Sequence, residues 1–166
     1  MLYIIKLPLI SGKFVNILYH TDVTRYLEFR QIEGSFVYRD GRISKVPANQ
    51  NEALMSPLMG IFEKRRAKSF FEFIQAYDFA NPATQKGIDL NTVSMTDVYK
   101  KFGLEPGTQD FIGHALALHQ DDSYMTMPAR DTYERITLYM NSMARYGKSP
   151  YIYPLYGLGS FPSNFR

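Results

Sequence analysis

His114 and His119, followed by Asp121 and Asp122, carry the donor atoms that could hold a metal ion. The two imidazoles are five positions apart, so on one continuous helix they fall well off a common face. Without a spacing of three or four, a structural or surface role is expected of them, and His20 stands alone. Gly157-Leu158-Gly159-Ser160-Phe161-Pro162 opens like a dinucleotide-binding turn. Pro162 occupies the third glycine position, however, and no helical pattern follows to offer an N-terminus to a phosphate. Glu63-Lys64-Arg65-Arg66 reads most simply as a solvated helix junction, with acidic lipid or protein as the alternative facing. No phosphate loop, nucleophile elbow or zinc-protease motif occurs. The expectation is therefore a protein that is not an enzyme, with no catalytic residues, no metal and no cofactor.

Binding is better represented than reaction. Residues 143–159, MARYGKSPYIYPLYGLG, pack four tyrosines, two prolines and three glycines into one stretch. Aromatic rings need somewhere to bury or something to touch, while Pro and Gly direct the backbone without continuing a helix. Arg145 and Lys148 add two cations beside Tyr146 and Tyr151, a combination suited to an acidic partner rather than to stability.

The elements that position these residues form three zones. Residues 14–46 favour strands, through Val23, Tyr26, Leu27 and Phe29, then Gly34-Ser35-Phe36-Val37-Tyr38. Asp40-Gly41 predicts a tight hairpin turn into Arg42-Ile43-Ser44-Lys45-Val46. From Asn49 the period is helical. Asn49 and Glu52 form a capping pair for a helix with Leu54, Leu58, Ile61 and Phe62 on one stripe, kinked or started by Pro57. The Lys64-Arg65-Arg66 run leads to a second helix with Phe70, Phe73, Ile74 and Tyr77. Ser94 and Asp97 cap a short helix stopped by Gly103; Thr108 caps a fourth with Phe111, Ile112, Ala115 and Leu118. Pro128 suits the first turn of a fifth, with Tyr133, Ile136, Met140 and Met143, ended by Gly147. Residues 149–166 are extended and turn-rich.

Length and composition bound the rest. The chain has 166 residues, of which 45% are hydrophobic and 15% aromatic, enough apolar surface to offset chain entropy. Zero cysteines exclude disulfides, thiolate metal sites and thiol nucleophiles. A net charge of +3 is a mild excess that does not point to nucleic acid. No apolar run reaches the ~18 residues of a membrane span. The opening Met1-Leu2-Tyr3-Ile4-Ile5-Lys6-Leu7-Pro8-Leu9-Ile10 lacks a basic leader and a small-residue cleavage site, and reads as a buried strand or short helix of a cytoplasmic protein.

Arg145-Tyr146-Gly147-Lys148-Ser149-Pro150-Tyr151 with Tyr153-Pro154-Leu155-Tyr156-Gly157-Leu158-Gly159 resembles the mobile effector loop and following strand of Rab GDP-dissociation inhibitors. Val23-Thr24-Arg25-Tyr26-Leu27-Glu28-Phe29, Glu33-Gly34-Ser35-Phe36-Val37-Tyr38 and Leu58-Met59-Gly60-Ile61-Phe62-Glu63-Lys64-Arg65-Arg66 are similar to the family's pattern. So is Gly113-His114-Ala115-Leu116-Ala117-Leu118, and the resemblance spans essentially the whole chain. It implies an α+β, mainly α chain, with a helical prenyl-binding-like domain flanked by β-rich pieces of an FAD/NAD(P)-binding-like domain. In these terms residues 1–46 are a piece of the larger Rab-binding domain, 47–146 the helical lipid-binding domain, and 147–166 the loop and return strand.

The resemblance further implies binding of prenylated, GDP-bound Rab GTPases, shielding of their geranylgeranyl lipid, and transient membrane-surface contact. Arg145, Tyr146, Lys148 and Tyr151 would contact Rab and membrane; Leu27 and Phe29 would receive the Rab C-terminus. A lipid groove would draw on Leu54, Leu58, Met59, Phe70, Phe73, Ile136, Met140 and Met143. Ser160 stands where the family usually carries an acidic residue that contacts Rab. The family's glycine-rich N-terminal segment and everything after Arg166 are missing, which implies a piece of a longer protein. The rival readings are a Rab escort protein, disfavoured by the compact helical block, and a flavin-dependent oxidoreductase.

Overall fold

The computed structural model describes residues 13–21, 28–34, 36–39, 41–45, 60–147 and 149–155. The chain divides into two compact units, Met1–Asn49 with Met140–Arg166, and Gln50–Tyr139.

In the first unit, α1 (Lys13–His20) buries Leu18. Strand structure is the expectation there, but the segment is helical, with Leu18 buried and Ile17 50% exposed. β1 (Phe29–Gln31) pairs antiparallel with β4 (Ile152–Pro154), Phe29 opposite Pro154 and Gln31 opposite Ile152. The pairing extends at both ends: Ile32 N–H donates to the Tyr151 carbonyl at 3.1 Å, and Leu155 N–H to the Glu28 carbonyl at 2.8 Å. β2 (Phe36–Arg39) and β3 (Arg42–Lys45) form the expected hairpin, with Arg39 opposite Arg42 and Gly41 in the intervening turn at φ +76°.

The second unit is helical. α2 (Ile61–Ala76) buries Glu63, Ala67, Phe70, Phe73 and Ile74, the i, i+4, i+7 face of a single helix. Gly60, in extended conformation, precedes it. Ile61 and Phe62 open this helix on its outer side and are 84% and 80% exposed, so they do not belong to the expected buried stripe. The Lys64-Arg65-Arg66 run lies inside α2 rather than ahead of it.

α3 (Met95–Phe102) begins where Ser94 Oγ accepts the Asp97 N–H at 3.2 Å, and ends at Gly103, φ +66°. α4 (Pro106–Asp110) starts with Pro106 at its first position and passes into a π-helical turn, Phe111–Leu116. Thr108 is inside α4 and buried, not its cap, and Leu118 lies beyond the helical turns at φ +57°. A 3-10 turn, Asp122–Met125, leads to α5 (Arg130–Tyr146). Pro128 precedes α5 and bridges to Ser94 instead of entering the first helical turn. The N–H groups at this helix start are satisfied across the unit, Ala129 donating to Val93 and Arg130 to Leu90, both at 2.9 Å. Residues 1–12, 22–27, 46–59 and 156–166 lie outside the described residues, and with them the opening apolar run, the Asn49–Glu52 cap, Pro57 and Gly157 to Pro162. Among the described residues no helix is long and apolar enough to cross a membrane.

Candidate functional site

The helical unit is built on an aromatic core. Phe70 and Phe73, three apart on α2, both meet Phe102 of α3, at ring-centroid distances of 5.6 and 5.1 Å. Phe70 also meets Tyr99 at 5.8 Å, and Phe73 meets Tyr77 at 5.4 Å. Edge and tilted arrangements dominate, as the ring quadrupoles favour. Tyr77 carries the core to α5: its hydroxyl donates to the Ile88 carbonyl at 3.1 Å, and its carbonyl accepts from the Tyr133 hydroxyl at 3.1 Å. Tyr77, Phe79 and Tyr133 form a mutual ring cluster, and the Arg130 guanidinium lies 4.8 Å from the Phe79 ring centre.

Three of the expected groove residues, Phe70, Phe73 and Ile136, belong to this core and have no exposed surface. Met140 and Met143 are half-buried on the last turns of α5, in the other unit. Leu54, Leu58 and Met59 lie outside the described residues. The buried face of α5 also takes Thr132, Tyr139 and Ser142, all hydroxyl-bearing side chains that lie outside the apolar spacing.

Glu63 overturns the reading of its charge run as a solvated junction. It is 2% exposed, and its carboxylate accepts the Glu105 N–H at 2.8 Å and the Arg66 Nε–H at 2.8 Å. Burial pushes its pKa up, but the Thr108 hydroxyl, the Glu105 amide and Arg66 together outweigh burial and hold it below the ordinary value. A single carboxylate thereby joins α2 to the start of α4.

The recognition residues are distributed unevenly. Arg145 is exposed in the last turn of α5, Tyr146 ends that helix, and Gly147 follows; Lys148 is outside the described residues. Tyr151 is buried, 6% exposed, which pushes its hydroxyl pKa up to about 12. Its N–H donates to Ser149 Oγ at 3.3 Å and its carbonyl accepts from Ile32, so Tyr151 is anchored within its own unit. Phe29 is half-buried in β1, and Leu27 is outside the described residues.

The histidines are brought together, though not as a pair of ligands. His114 Nδ1 lies 2.8 Å from the His119 carbonyl and its Nε2 3.0 Å from Asp122 Oδ1. The His119 carbonyl raises the His114 pKa most; burial opposes this, and Asp122 and Asp110 reinforce it. His119 turns the other way: its Nε2 is 3.0 Å from Thr132 Oγ1, and its ring stacks on Tyr124 at 4.3 Å. Burial lowers its pKa, assisted by Arg135. Gly113 makes room for this arrangement, because a Cβ there would sit 2.0 Å from the Tyr124 hydroxyl oxygen. Asp110 joins His114 and Asp122, and their ligand atoms lie within 4.8 Å of one another. Asp110 lies four positions before His114, the i, i+4 spacing that marks it in the sequence as a neighbour of that imidazole.

The architecture and the sequence have close counterparts. The chain is 61% identical over 160 residues to a probable secretory pathway GDP dissociation inhibitor 1 of Schizosaccharomyces pombe, and 55% identical over 160 residues to a Rab GDP-dissociation inhibitor of Saccharomyces cerevisiae. Each alignment covers 96% of this chain and 36% of the relative, so the chain spans just over a third of their length. The crystal structure of Rab GDI from Plasmodium falciparum superposes with a TM-score of 0.88 at 44% identity, covering 96% of this chain and 38% of that one. The family model described as GDP dissociation inhibitor matches residues 2–166, and with that match over nearly the whole sequence, the chain belongs to the GDP dissociation inhibitor family.

Proposed function

We propose that the protein carrying this chain binds prenylated, GDP-bound Rab GTPases and recycles them between membranes and cytosol. The observation that carries this is the family match over residues 2–166, together with relatives whose names state inhibition of GDP dissociation from Rab. The relatives at 61% and 55% identity are both named as GDP dissociation inhibitors, which favours the inhibitor among the two readings. Binding the GDP conformation in preference to others inhibits nucleotide release by population shift, with no bond made or broken.

The lipid is the thermodynamic problem. Transferring a geranylgeranyl chain of about 20 carbons out of the bilayer requires an apolar home worth up to ~16 kcal/mol before ordering costs. In this reading the home lies within the helical unit, and its walls include Phe70, Phe73 and Ile136. Those side chains are closed off from solvent, so lipid entry requires the helices around them to part, and binding of the GTPase's protein surface precedes lipid transfer. Arg145 and Lys148 supply contacts to that surface, with β1 receiving the GTPase's C-terminal tail at Leu27 and Phe29.

The experiment compares binding of the whole protein to GDP-loaded Rabs, prenylated and unprenylated. Tight binding of the prenylated form and weaker binding of the unprenylated form is the expected result. Equal affinity for both, or preference for the GTP-loaded state, overturns the reading.

A further inference from the structure

We propose that the outer face of α2 between Ile61 and Lys68 docks on the surface of an anionic phospholipid bilayer. Two independent features of that face point to it: uncovered apolar side chains, and a run of cations without matching acids.

The helix period sets out both. Glu63, Ala67, Phe70 and Ile74 recur at i, i+4, i+7 and i+11 and are buried in the helical unit. Ile61, Arg65 and Lys68 repeat the first three of those positions two residues earlier, which turns them about 200° around the helix, to its opposite side. All three are exposed, with exposed Phe62 flanking their stripe on one side and half-buried Lys64 on the other. A single exposed apolar residue is ordinary, but here two large ones adjoin at the head of one helix and forgo the burial such side chains normally obtain.

Between Ile61 and Phe71 the chain carries Lys64, Arg65, Arg66 and Lys68 against one acid, Glu63. Glu63 is turned inward, and Arg66 pairs with it and with Glu105. The outward side keeps three cations, and the first carboxylate along its stripe is Glu72, 3.7 Å from Lys68. Apolar side chains at one end and cations along the rest match a headgroup layer. The ring and the aliphatic chain enter the acyl boundary, while the ammonium and guanidinium groups stay at the phosphates. The sign of the charge selects an anionic leaflet over a zwitterionic one. A stable protein interface needs about 800 Å² per partner, more than two turns of one helix present, whereas a bilayer accommodates a patch of any outline.

The test is co-sedimentation of the whole protein with GTPase-free vesicles, made of phosphatidylcholine alone or of equal parts phosphatidylcholine and phosphatidylserine. Binding to the mixed vesicles that weakens as salt is raised, with little binding to phosphatidylcholine, is the expected result. Arg65→Ala with Lys68→Ala should weaken it by about twenty-fivefold, since each cation beside an anionic leaflet contributes roughly fivefold. Ile61→Ser with Phe62→Ser should weaken it by about tenfold or more. All four side chains are exposed, so both variants should keep the wild-type melting temperature. Matched changes elsewhere, Lys100→Ala with Lys101→Ala on α3 and Ile43→Ser on β3, all at exposed positions, should leave binding unchanged. Absence of binding, equal binding to the two vesicles, or losses no larger than in the matched variants overturns the proposal. Vesicle binding unaltered in the α2 variants, with weakened capture of GDP-loaded Rab, overturns it as well and gives this face to the GTPase. The vesicles hold no GTPase, so failure to bind them leaves the Rab reading standing.

Discussion

The Glu63 carboxylate accepts the backbone N–H of Glu105, 42 residues away in sequence, at 2.8 Å. Arg66 is held at 2.6 Å by the same carboxylate. Glu63→Gln keeps the shape but removes the charge, and should cost about 2 kcal/mol of stability, the scale of hydrogen bonds to ionised groups. The sign of the pH dependence follows from the lowered pKa. In the unfolded chain Glu63 takes up a proton near its ordinary value of 4.5, whereas the folded chain holds it ionised to lower pH. Its contribution is complete above that value and is lost as the pH falls through the folded one. Thermal melts of wild type and Glu63→Gln should therefore differ at neutral pH and converge in acid. A difference that grows on acidification refutes the assignment.

Gly113 and Tyr124 are a second coupled pair. An added Cβ at Gly113 meets the Tyr124 hydroxyl oxygen at 2.0 Å and ring carbon at 2.4 Å, and the ring is wedged against His119 and cannot swing aside freely. Gly113→Ala should destabilise by ~1–3 kcal/mol. In a double-mutant cycle with Tyr124→Ala the two costs should not add, because the second substitution removes what the first collides with. Additive melting-temperature losses would show that the clash is relieved elsewhere.

Thr137 offers the opposite change. Its hydroxyl oxygen is buried on α5 and makes no hydrogen bond among the described residues. Thr137→Val removes an unsatisfied polar group at nearly constant volume and should stabilise by about 1 kcal/mol. Chemical denaturation measures this directly, and a lower midpoint at unchanged slope counts against it.

What was legible in the sequence was local. Ser94 capping Asp97, Gly103 stopping α3 and the turn at Gly41 all depend on residues within three positions of each other, and each is realised. The errors share a different origin. Glu63 looks solvated because its partners, Glu105 and Thr108, lie more than forty positions away, and Thr108 looks like a cap because its distant partner is invisible. Ile61 and Phe62 fit a stripe with Leu54 and Leu58 on paper, yet the helix that contains them starts at Ile61 and takes its buried face from Glu63, Ala67 and Phe70. The π-helical turn also escaped periodicity, since Asp110, His114 and Asp122 come together only when that turn and the following loop are placed.

The recognition loop divides by burial into two kinds of residue, with separable consequences. Tyr151 is 6% exposed, so Tyr151→Ala should cost about 3 kcal/mol as a buried aromatic truncation, whatever it does to partner binding. Arg145 is exposed in the last turn of α5, and Lys148 follows Gly147. If the two cations served only the helix C-terminus, Arg145→Ala with Lys148→Ala would lower stability by some 0.3–1 kcal/mol and leave function intact. If they meet an acidic surface on the GTPase or membrane, the same double variant of the whole protein should keep its melting temperature and lose extraction of prenylated Rab from membranes. We expect the second outcome, because a complementary acidic partner gives an exposed cation a desolvated, charge-assisted contact. Raised ionic strength should weaken extraction by the wild type more than by the variant, and equal salt sensitivity in the two would place the contact elsewhere.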